Sequence, residues 1–469
     1  MKISLLILIS LFLVRCGVGV PTSNKEMYDL DLAQIKQKDT IRVVTDYNSV
    51  NYFIYKGTEI GYQYELLQEI TKSLGVVLKL SVSNDIEKNY QLLLDGKVDL
   101  IATNLSEMTP IVEGLSFTEP HCFSRQVLVQ RKGRTVEYLD ALSKRQNRVV
   151  RDLVQLGGKS VYVENGSAYN AQLLQLKRDI NDSINIIQDP DYTAEQLIGL
   201  VASGEIDYTV CDENIAVVNS FYYSNLDLLT PVSQQQKISW VTRTNSKELH
   251  SYIKQWLINF KSGYQYATIY KKYFVNKRTP HIVDTKPQLI RNGKLSVFDD
   301  LIKSESKNIH WDWRLLASIV YQESRFEPEA TSWAGAAGLM QLMPETAIQF
   351  GVTSITSPRD NIKGGVRYLQ WLQTRINPKV SNELDRIKFT LASYNVGLGH
   401  VLDAMKLAEK YGKNPRVWTD NVDYYLLNKS LPEFYTDTIV KHGYCRGEET
   451  FKYVEEVLAR YENIKRVIK

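Results

Sequence analysis

The hydrophobic period of the chain changes character once, and that change limits the architecture more than any other feature. Up to about residue 276, short β-branched runs alternate with amphipathic stretches. IRVVTDY (41–47) reads as a strand, and GYQYELLQEITKSLG (61–75) reads as a turn and a helix stopped by Gly75. VLKLSVS is a second strand, and IEKNYQLLLDGKVDLIATN is a helix, a glycine break and a buried strand. Beyond residue 292 the strand pattern is gone and the periodicity is helical with short connections. The intervening KRTPHIVDTKPQLIRN (277–292) has two prolines and no period, and reads as a linker. Two folding units are therefore expected: an α/β module at 39–276 and an all-α domain at 293–469. A length of 469 residues, more than one core usually holds, agrees with this.

The α/β module contains an internal echo. LLLDGKVDLIAT (92–103) and LVASGEIDYTVC (200–211) each run from an apolar helix end through Gly, a charged residue, a β-branched residue and Asp into a strand. Gly96 and Gly204 suit the left-handed position that ends a helix. Any helix–strand unit can produce one such pattern. Two of them about a hundred residues apart point to two similar lobes.

The N-terminus, MKISLLILISLFLVRCG, has one lysine and then an apolar run from Ile3 to Val14. The run is too short for a mature membrane span and fits the core of an export signal. A cysteine follows directly, and LVRC resembles the bacterial lipoprotein cleavage box. By that resemblance Cys16 is the lipidated first residue, residues 1–16 are the signal, and the polar stretch 17–38 is a tether. Arg15 departs from the box, which prefers a small residue there; an ordinary signal peptide or a short uncleaved anchor is the alternative. The expected location is the periplasm, with a lipid anchor in the outer membrane. Of the other cysteines (Cys122, Cys211, Cys445), none has metal-ligand spacing, and buried thiols are expected rather than a disulfide. The net charge of +4 does not call for nucleic acid, although a mildly basic surface suits a polyanionic matrix.

The order of IRVVTDY, GYQYELLQEI, LLLDGKVDLIAT, LSFTEPH and GEIDYTVCD across 39–276 resembles the family 3 periplasmic solute-binding proteins, which are two-lobed and bind amino acids. That resemblance implies one lobe from about 40–130 with 235–276, another from about 155–230, and a ligand between them. Tyr52, Tyr55 and Asp212 are candidates to line the cleft. The chain departs from the family in one respect. Amino-acid binders place an arginine after a Thr-Pro-Glu turn to clamp the ligand carboxylate. Here SEMTPIVEGLSF has none, and Arg125 comes later, in FSRQVLV, expected on a strand. A peptide or muropeptide, an amino-acid-like ligand, or no ligand at all remain alternatives.

In the helical domain, WDWRLLASIVYQES (311–324) reads as a helix with Leu315, Ile319 and Glu323 on one face, so that a carboxylate continues an aliphatic stripe. A carboxyl near the carbonyl end of a helix and among apolar neighbours is biased towards its protonated form, as a general acid at neutral pH requires. An exposed glutamate paired with Arg325 is the alternative. YQESRFEPEATSWAGAAGLMQLMPETA, NIKGGVRYLQWL, TLASYNVGLGHV and EETFKYVEEVLARY together resemble the lytic transglycosylases, lysozyme-like helical enzymes that cleave peptidoglycan without hydrolysis. The resemblance implies Glu323 as the catalytic residue. It implies Ser324, Gln341, Tyr394, Asn395 and Tyr453 around the substrate, with no cofactor and no metal. Ser324 is expected to orient the Glu323 carboxyl or a substrate acetamido group, or else to bond its own backbone.

Most glycosidases flank the bond with two carboxylates. This domain offers one in a sugar-site motif. Asp312 and Asp360 read as helix caps, and Glu449 as a structural partner. A single carboxyl suffices when the attacking hydroxyl belongs to the substrate. The resemblance implies that route, with a 1,6-anhydromuramoyl product. The competing readings are a lysozyme-like hydrolase with a second carboxylate still to be found, and a wall-binding receptor without catalysis.

Overall fold

The computed structural model describes residues 31–132 apart from 108 and 110, 149–275 apart from 181 and 182, and 294–468. The signal segment with Cys16, and the whole of the proposed linker, lie outside these residues.

Among the described residues twelve strands build the first module: β1 (Thr40–Thr45), β2 (Phe53–Tyr55), β3 (Thr58–Ile60), β4 (Val77–Val82), β5 (Leu100–Ser106), β6 (Leu115–Ser124), β7 (Gln126–Arg131), β8 (Ser160–Glu164), β9 (Asn185–Asp189), β10 (Thr209–Asp212), β11 (Leu226–Pro231) and β12 (Gln236–Arg243). They form two five-stranded sheets, ordered β4-β1-β5-β12-β6 and β11-β7-β10-β8-β9, and a separate hairpin of β2 and β3. The two sheets are the two lobes. Each has a parallel core, β4-β1-β5 in one and β10-β8-β9 in the other. Such strands are covered on both faces and read as continuous Val/Ile/Leu runs, as β1 does: Ile41, Val43 and Val44 have no exposed surface.

The echoed units occupy equivalent places. Helix Ile86–Leu94 and helix Ala194–Ser203 both turn at a left-handed glycine, Gly96 (φ 64°) and Gly204 (φ 94°), before entering the central strands β5 and β10.

Three boundaries differ from the sequence reading. The tether ends early: Leu32–Gln37 is a helix capped by Asp31. The Asp31 carboxylate also accepts from the backbone N–H of Glu248 and Leu249, and Ile35 is buried. The chain passes between lobes at Arg125, because β6 belongs to the first sheet and β7 to the second. Arg125 therefore sits between two strands rather than on one, bonded to Glu213 at 3.0 and 2.7 Å. Finally, the cap of helix Pro358–Ile376 is Ser357. Asp360 lies in its first turn and accepts from the Thr353 hydroxyl at 2.6 Å.

The second domain is helical from Asp299 to Val467. Its core gathers Leu315, Ile319, Leu339, Met340, Leu369, Phe389, Trp418 and Val454, all at most 2% exposed. Cys122, Cys211 and Cys445 are buried free thiols. Among the described residues no helix is long and apolar enough to cross a membrane.

Candidate active site

Asp312 caps the helix Trp313–Ser324 by accepting from the Arg314 N–H at 2.9 Å, which fixes where the helical period starts. The stripe then falls as expected: Leu315, Ile319 and Glu323 are 2%, 0% and 4% exposed. The helix ends abruptly after Ser324. Arg325 and Phe326 both take left-handed backbone (φ 54° and 64°), unusual for non-glycine residues, and turn the chain out of the helix into a loop.

That loop, 326–343, is held by its own polar groups. The Ser324 hydroxyl is directed at the carbonyls of Val320 (3.1 Å) and Leu339 (2.9 Å), the backbone alternative rather than the Glu323 carboxyl. Gln341 adopts φ 45°, and its amide donates to the carbonyls of Ala330 (2.8 Å) and Gly338 (2.9 Å). Asn361, which the sequence reading passed over, accepts from the Met340 N–H at 2.7 Å and donates to the carbonyls of Ala337 and Ile355. A Cβ on Gly338 would lie 2.2 Å from the Asn361 amide, and one on Gly365 would lie 2.2 Å from the Met340 sulfur, so both glycines are required for closeness.

Tyr394 and Asn395 come from helix Glu383–Val396, and Tyr453 from helix Gly447–Val467. Tyr453 donates its hydroxyl to Glu323 Oε1 at 2.8 Å. Burial first, and then the Glu323 charge, raise that hydroxyl well above its usual pKa, so it remains a donor. Tyr394 donates to the Met340 carbonyl at 2.6 Å and is 1% exposed. Asn395 is half-buried, and its Oδ1 accepts from the Thr450 hydroxyl at 2.8 Å, which turns its NH₂ the other way. Thus Glu323, Tyr394 and Tyr453 come together around one carboxylate, with Asn395 one residue on from Tyr394. Asp312 is held by Arg314 at 2.6 Å.

The sequence reading expected Glu323 among apolar side chains. The structure gives it a cation. Lys56 Nζ lies 2.6 Å from Glu323 Oε2 and 3.3 Å from the Gln341 carbonyl, with its ammonium 5.7 Å from the Tyr394 ring centre. The two side chains of the pair are 8% and 1% exposed. Lys56 and Gly57 form the two-residue tip between β2 and β3, and both have positive φ (50° and 82°), the mirror-image turn that tight hairpins use. The tip meets the catalytic domain at Gly397, where a Cβ would lie 2.9 Å from the Gly57 backbone. Trp333 stacks on Phe53 (ring centres 5.9 Å apart) and tilts against Tyr55 (5.6 Å). Tyr52 is not a free cleft residue either: its hydroxyl donates to Glu59 at 2.5 Å.

A second group of charges lies between the lobes. Asp46 follows β1, and Glu164 and Asp212 end β8 and β10. Burial pushes their carboxyls up to about 6, 7 and 7, with the Asp46 charge adding to both of the others. Glu195, in the first turn of helix Ala194–Ser203, is different. Burial alone would raise it, but the Arg446 charge and bonds from Ser49, Tyr444 and Asn219 hold it below the usual range. Tyr444 and Arg446 belong to the catalytic domain. The Tyr444 hydroxyl donates to Glu195 at 2.7 Å, and the Arg446 guanidinium bonds Asn219 and covers the Tyr222 ring at 4.2 Å.

A two-lobed α/β module followed by a helical domain with one buried glutamate defines a class. Residues 40–276 match the model of the bacterial extracellular solute-binding proteins, family 3, and residues 300–417 match the transglycosylase SLT domain. A membrane-bound lytic murein transglycosylase F from Desulfosudis oleivorans is 32% identical over 92% of this chain and 92% of its own. Proteins of the same name from Aeromonas salmonicida and Vibrio parahaemolyticus are 31% and 30% identical, over 98% and 92% of this chain and 87% and 82% of theirs. The chain belongs to the membrane-bound lytic murein transglycosylase F family.

Proposed function

We propose that the catalytic domain cleaves the bond between N-acetylmuramic acid and N-acetylglucosamine in peptidoglycan by ring closure, with Glu323 as acid and then base. Protonated Glu323 gives its proton to the glycosidic oxygen and the C1–O bond breaks, the acetamido group sharing the positive charge. The resulting carboxylate takes the proton of the same sugar's 6-hydroxyl, whose oxygen closes on C1 to leave the 1,6-anhydro end. The attacking hydroxyl is already tethered, so no second carboxylate is needed to activate water. The observation that carries this reading is the Tyr453–Glu323 bond at 2.8 Å: one buried carboxyl, fixed by a donor, on the floor of a sugar-site motif. Tyr394 and Asn395 wall the sugar site, while Ser324 and Gln341 shape the loop beneath it. Replacing Glu323 by Gln tests the assignment. Turnover of purified peptidoglycan should fall by about 10²–10⁴-fold with binding retained, and unchanged turnover would overturn it.

The first module acts as a ligand-responsive switch. What supports this reading is that Lys56, on the hairpin tip of the first module, is buried against the Glu323 carboxyl at 2.6 Å, the group that substrate has to reach. Ligand binding between the lobes withdraws the hairpin. Isolated wall fragments that leave turnover unchanged would count against this. The protein is periplasmic and held at the outer membrane by lipid on Cys16, a reading supported by the export-signal pattern and by the membrane-bound relatives. Palmitate labelling lost in Cys16→Ser would support it, and labelling retained would exclude Cys16.

A further inference from the structure

Trp333 stands in a tight turn of the same loop that carries Gln341. The Ser332 N–H donates to the Ala336 carbonyl at 2.7 Å, the Gly335 N–H to the Ser332 carbonyl at 3.0 Å, and the Ala336 N–H to the Ser332 hydroxyl at 3.0 Å. Gly335 supplies the positive φ (93°) that closes the turn. At its base the Ala330 carbonyl accepts from the Gly338 N–H at 2.9 Å and from the Gln341 amide at 2.8 Å. All of these bonds lie within the catalytic domain, so they brace the turn, and the indole on it, whether or not the first module is docked.

The indole itself faces the first module. It is half-buried and packs on that module's core. Phe53 and Tyr55 of the hairpin lie against it, ring centres 5.9 and 5.6 Å away, and Tyr273 meets it edge-on at 6.1 Å. Tyr55 ends β2, and Lys56 follows it at the tip. These two consecutive side chains reach neighbouring parts of one site: the Tyr55 ring lies against Trp333, and the Lys56 ammonium lies 2.6 Å from the Glu323 carboxylate. Tyr55 also stands close enough to Tyr453, the donor to Glu323, to act on its hydroxyl. The hairpin therefore sets a ring against an indole and a cation against a carboxylate, side by side. A pyranose whose C1 takes positive charge as its glycosidic bond breaks has the same two features. The apolar face of such a ring is buried well by a large, flat aromatic side chain.

We propose that Trp333 is a sugar-stacking platform of the active site, on which a pyranose ring of the glycan strand lies once the hairpin withdraws, and that the Tyr55 ring holds its place in the docked state. This rests on the reading of the catalytic domain as a peptidoglycan-cleaving enzyme and of the hairpin as removable. The hairpin then blocks the site by imitating substrate, and glycan and hairpin exclude each other. Stacking acts on the sugar before and during bond cleavage alike, so Trp333 contributes to binding rather than to the chemical step.

The test is steady-state turnover of soluble, uncross-linked glycan strands by full chains carrying Lys56→Met, alone and together with Trp333→Ala or Trp333→Phe. Alanine should raise KM about tenfold or more with little change in kcat, as loss of uniform binding requires. Phenylalanine should recover most of that loss, because it keeps an aromatic face. Melting curves confirm that the variants fold; should Trp333→Ala not fold, Trp333→Leu, apolar but not aromatic, takes its place. An unchanged KM in the alanine or leucine variant, or a fall in kcat that phenylalanine does not rescue, would overturn the proposal and leave Trp333 a docking residue only. The underlying readings fail separately. Lys56→Met turning over no faster than the unaltered chain would sink the switch, and the same KM comparison on the chain that keeps Lys56 would still decide the platform. Turnover that survives Glu323→Gln would sink the catalytic assignment whatever Trp333 does. For a chain without turnover, the Kd of the strands measured by calorimetry replaces KM.

Discussion

Lys56 and Glu323 stand 267 positions apart in the chain and form a buried ion pair across two domains, Nζ to Oε2 at 2.6 Å. Removing one partner of such a pair leaves the other charge uncompensated and costs about 3–5 kcal/mol. Here that cost falls on the docked state, because undocking exposes Glu323 to solvent and substrate.

Lys56→Met should therefore raise turnover by the ligand-free full chain, by about tenfold or more given how steeply a two-state population follows free energy. Clearing of a peptidoglycan suspension reads this directly. Turnover equal to or below that of the unaltered chain would mean that the hairpin tip does not hold the site shut.

Thr450 fixes the Asn395 amide by donating to its Oδ1, at a site 1% exposed. Thr450→Val removes the donor while keeping the shape. Loss of one hydrogen bond, about 0.5–1.5 kcal/mol, should raise KM roughly 2–10-fold with a smaller change in kcat, and Thr450→Ser should restore it. A fall in kcat alone, or no rescue by serine, would place Thr450 outside substrate positioning.

The raised carboxyls between the lobes predict a pH trend. Burial pushes the carboxyls of Asp46, Glu164 and Asp212 up to about 6, 7 and 7 in the folded chain, from an ordinary range of about 4. The folded state thus binds their protons more tightly than the unfolded state, and stability is lost as pH rises from about 4 towards 7. Asp227, Asp312 and Asp403 are shifted the other way, by Arg151, Arg314, His442 and Lys429 against their burial, and lose stability only in acid. Burial shifts His121, His250 and His400 down, so they pull the other way up to about pH 6.5, and the change in melting temperature between pH 5 and pH 8 is therefore compared between the unaltered chain and a variant. Asp212→Asn should remove the part of the stability loss with rising pH that this carboxyl contributes, an effect on the order of a few kcal/mol, so the variant is favoured relative to the unaltered chain as pH rises. The same change in both chains would show that Asp212 is not desolvated.

Much of this was legible in the sequence where the signal is local. The aliphatic stripe of Leu315 and Ile319 leads to Glu323 because helix periodicity needs only neighbours four apart. Gly96 and Gly204 mark their turns because only backbone geometry is at stake. Lys56 was not legible: YKG reads as an ordinary hairpin turn, and nothing near it names a partner 267 residues on. The lobe crossing at Arg125 was hidden for a similar reason. EPHCFSRQVLVQ has no glycine or proline after Pro120 to mark a crossing, and only hydrogen bonding assigns its two halves to different sheets. Asn361 and Thr450 act through single hydrogen bonds to distant loops, which leave no period to read.

The most direct test of the central claim is mass spectrometry of purified peptidoglycan digested by the Lys56→Met chain beginning at residue 17. The account predicts muropeptides one water lighter than hydrolytic products, each with an anhydro end and no new reducing end, and none of them from the double variant that also carries Glu323→Gln. New reducing ends would contradict it, because they would mean that water rather than the sugar's own hydroxyl attacks beside Glu323.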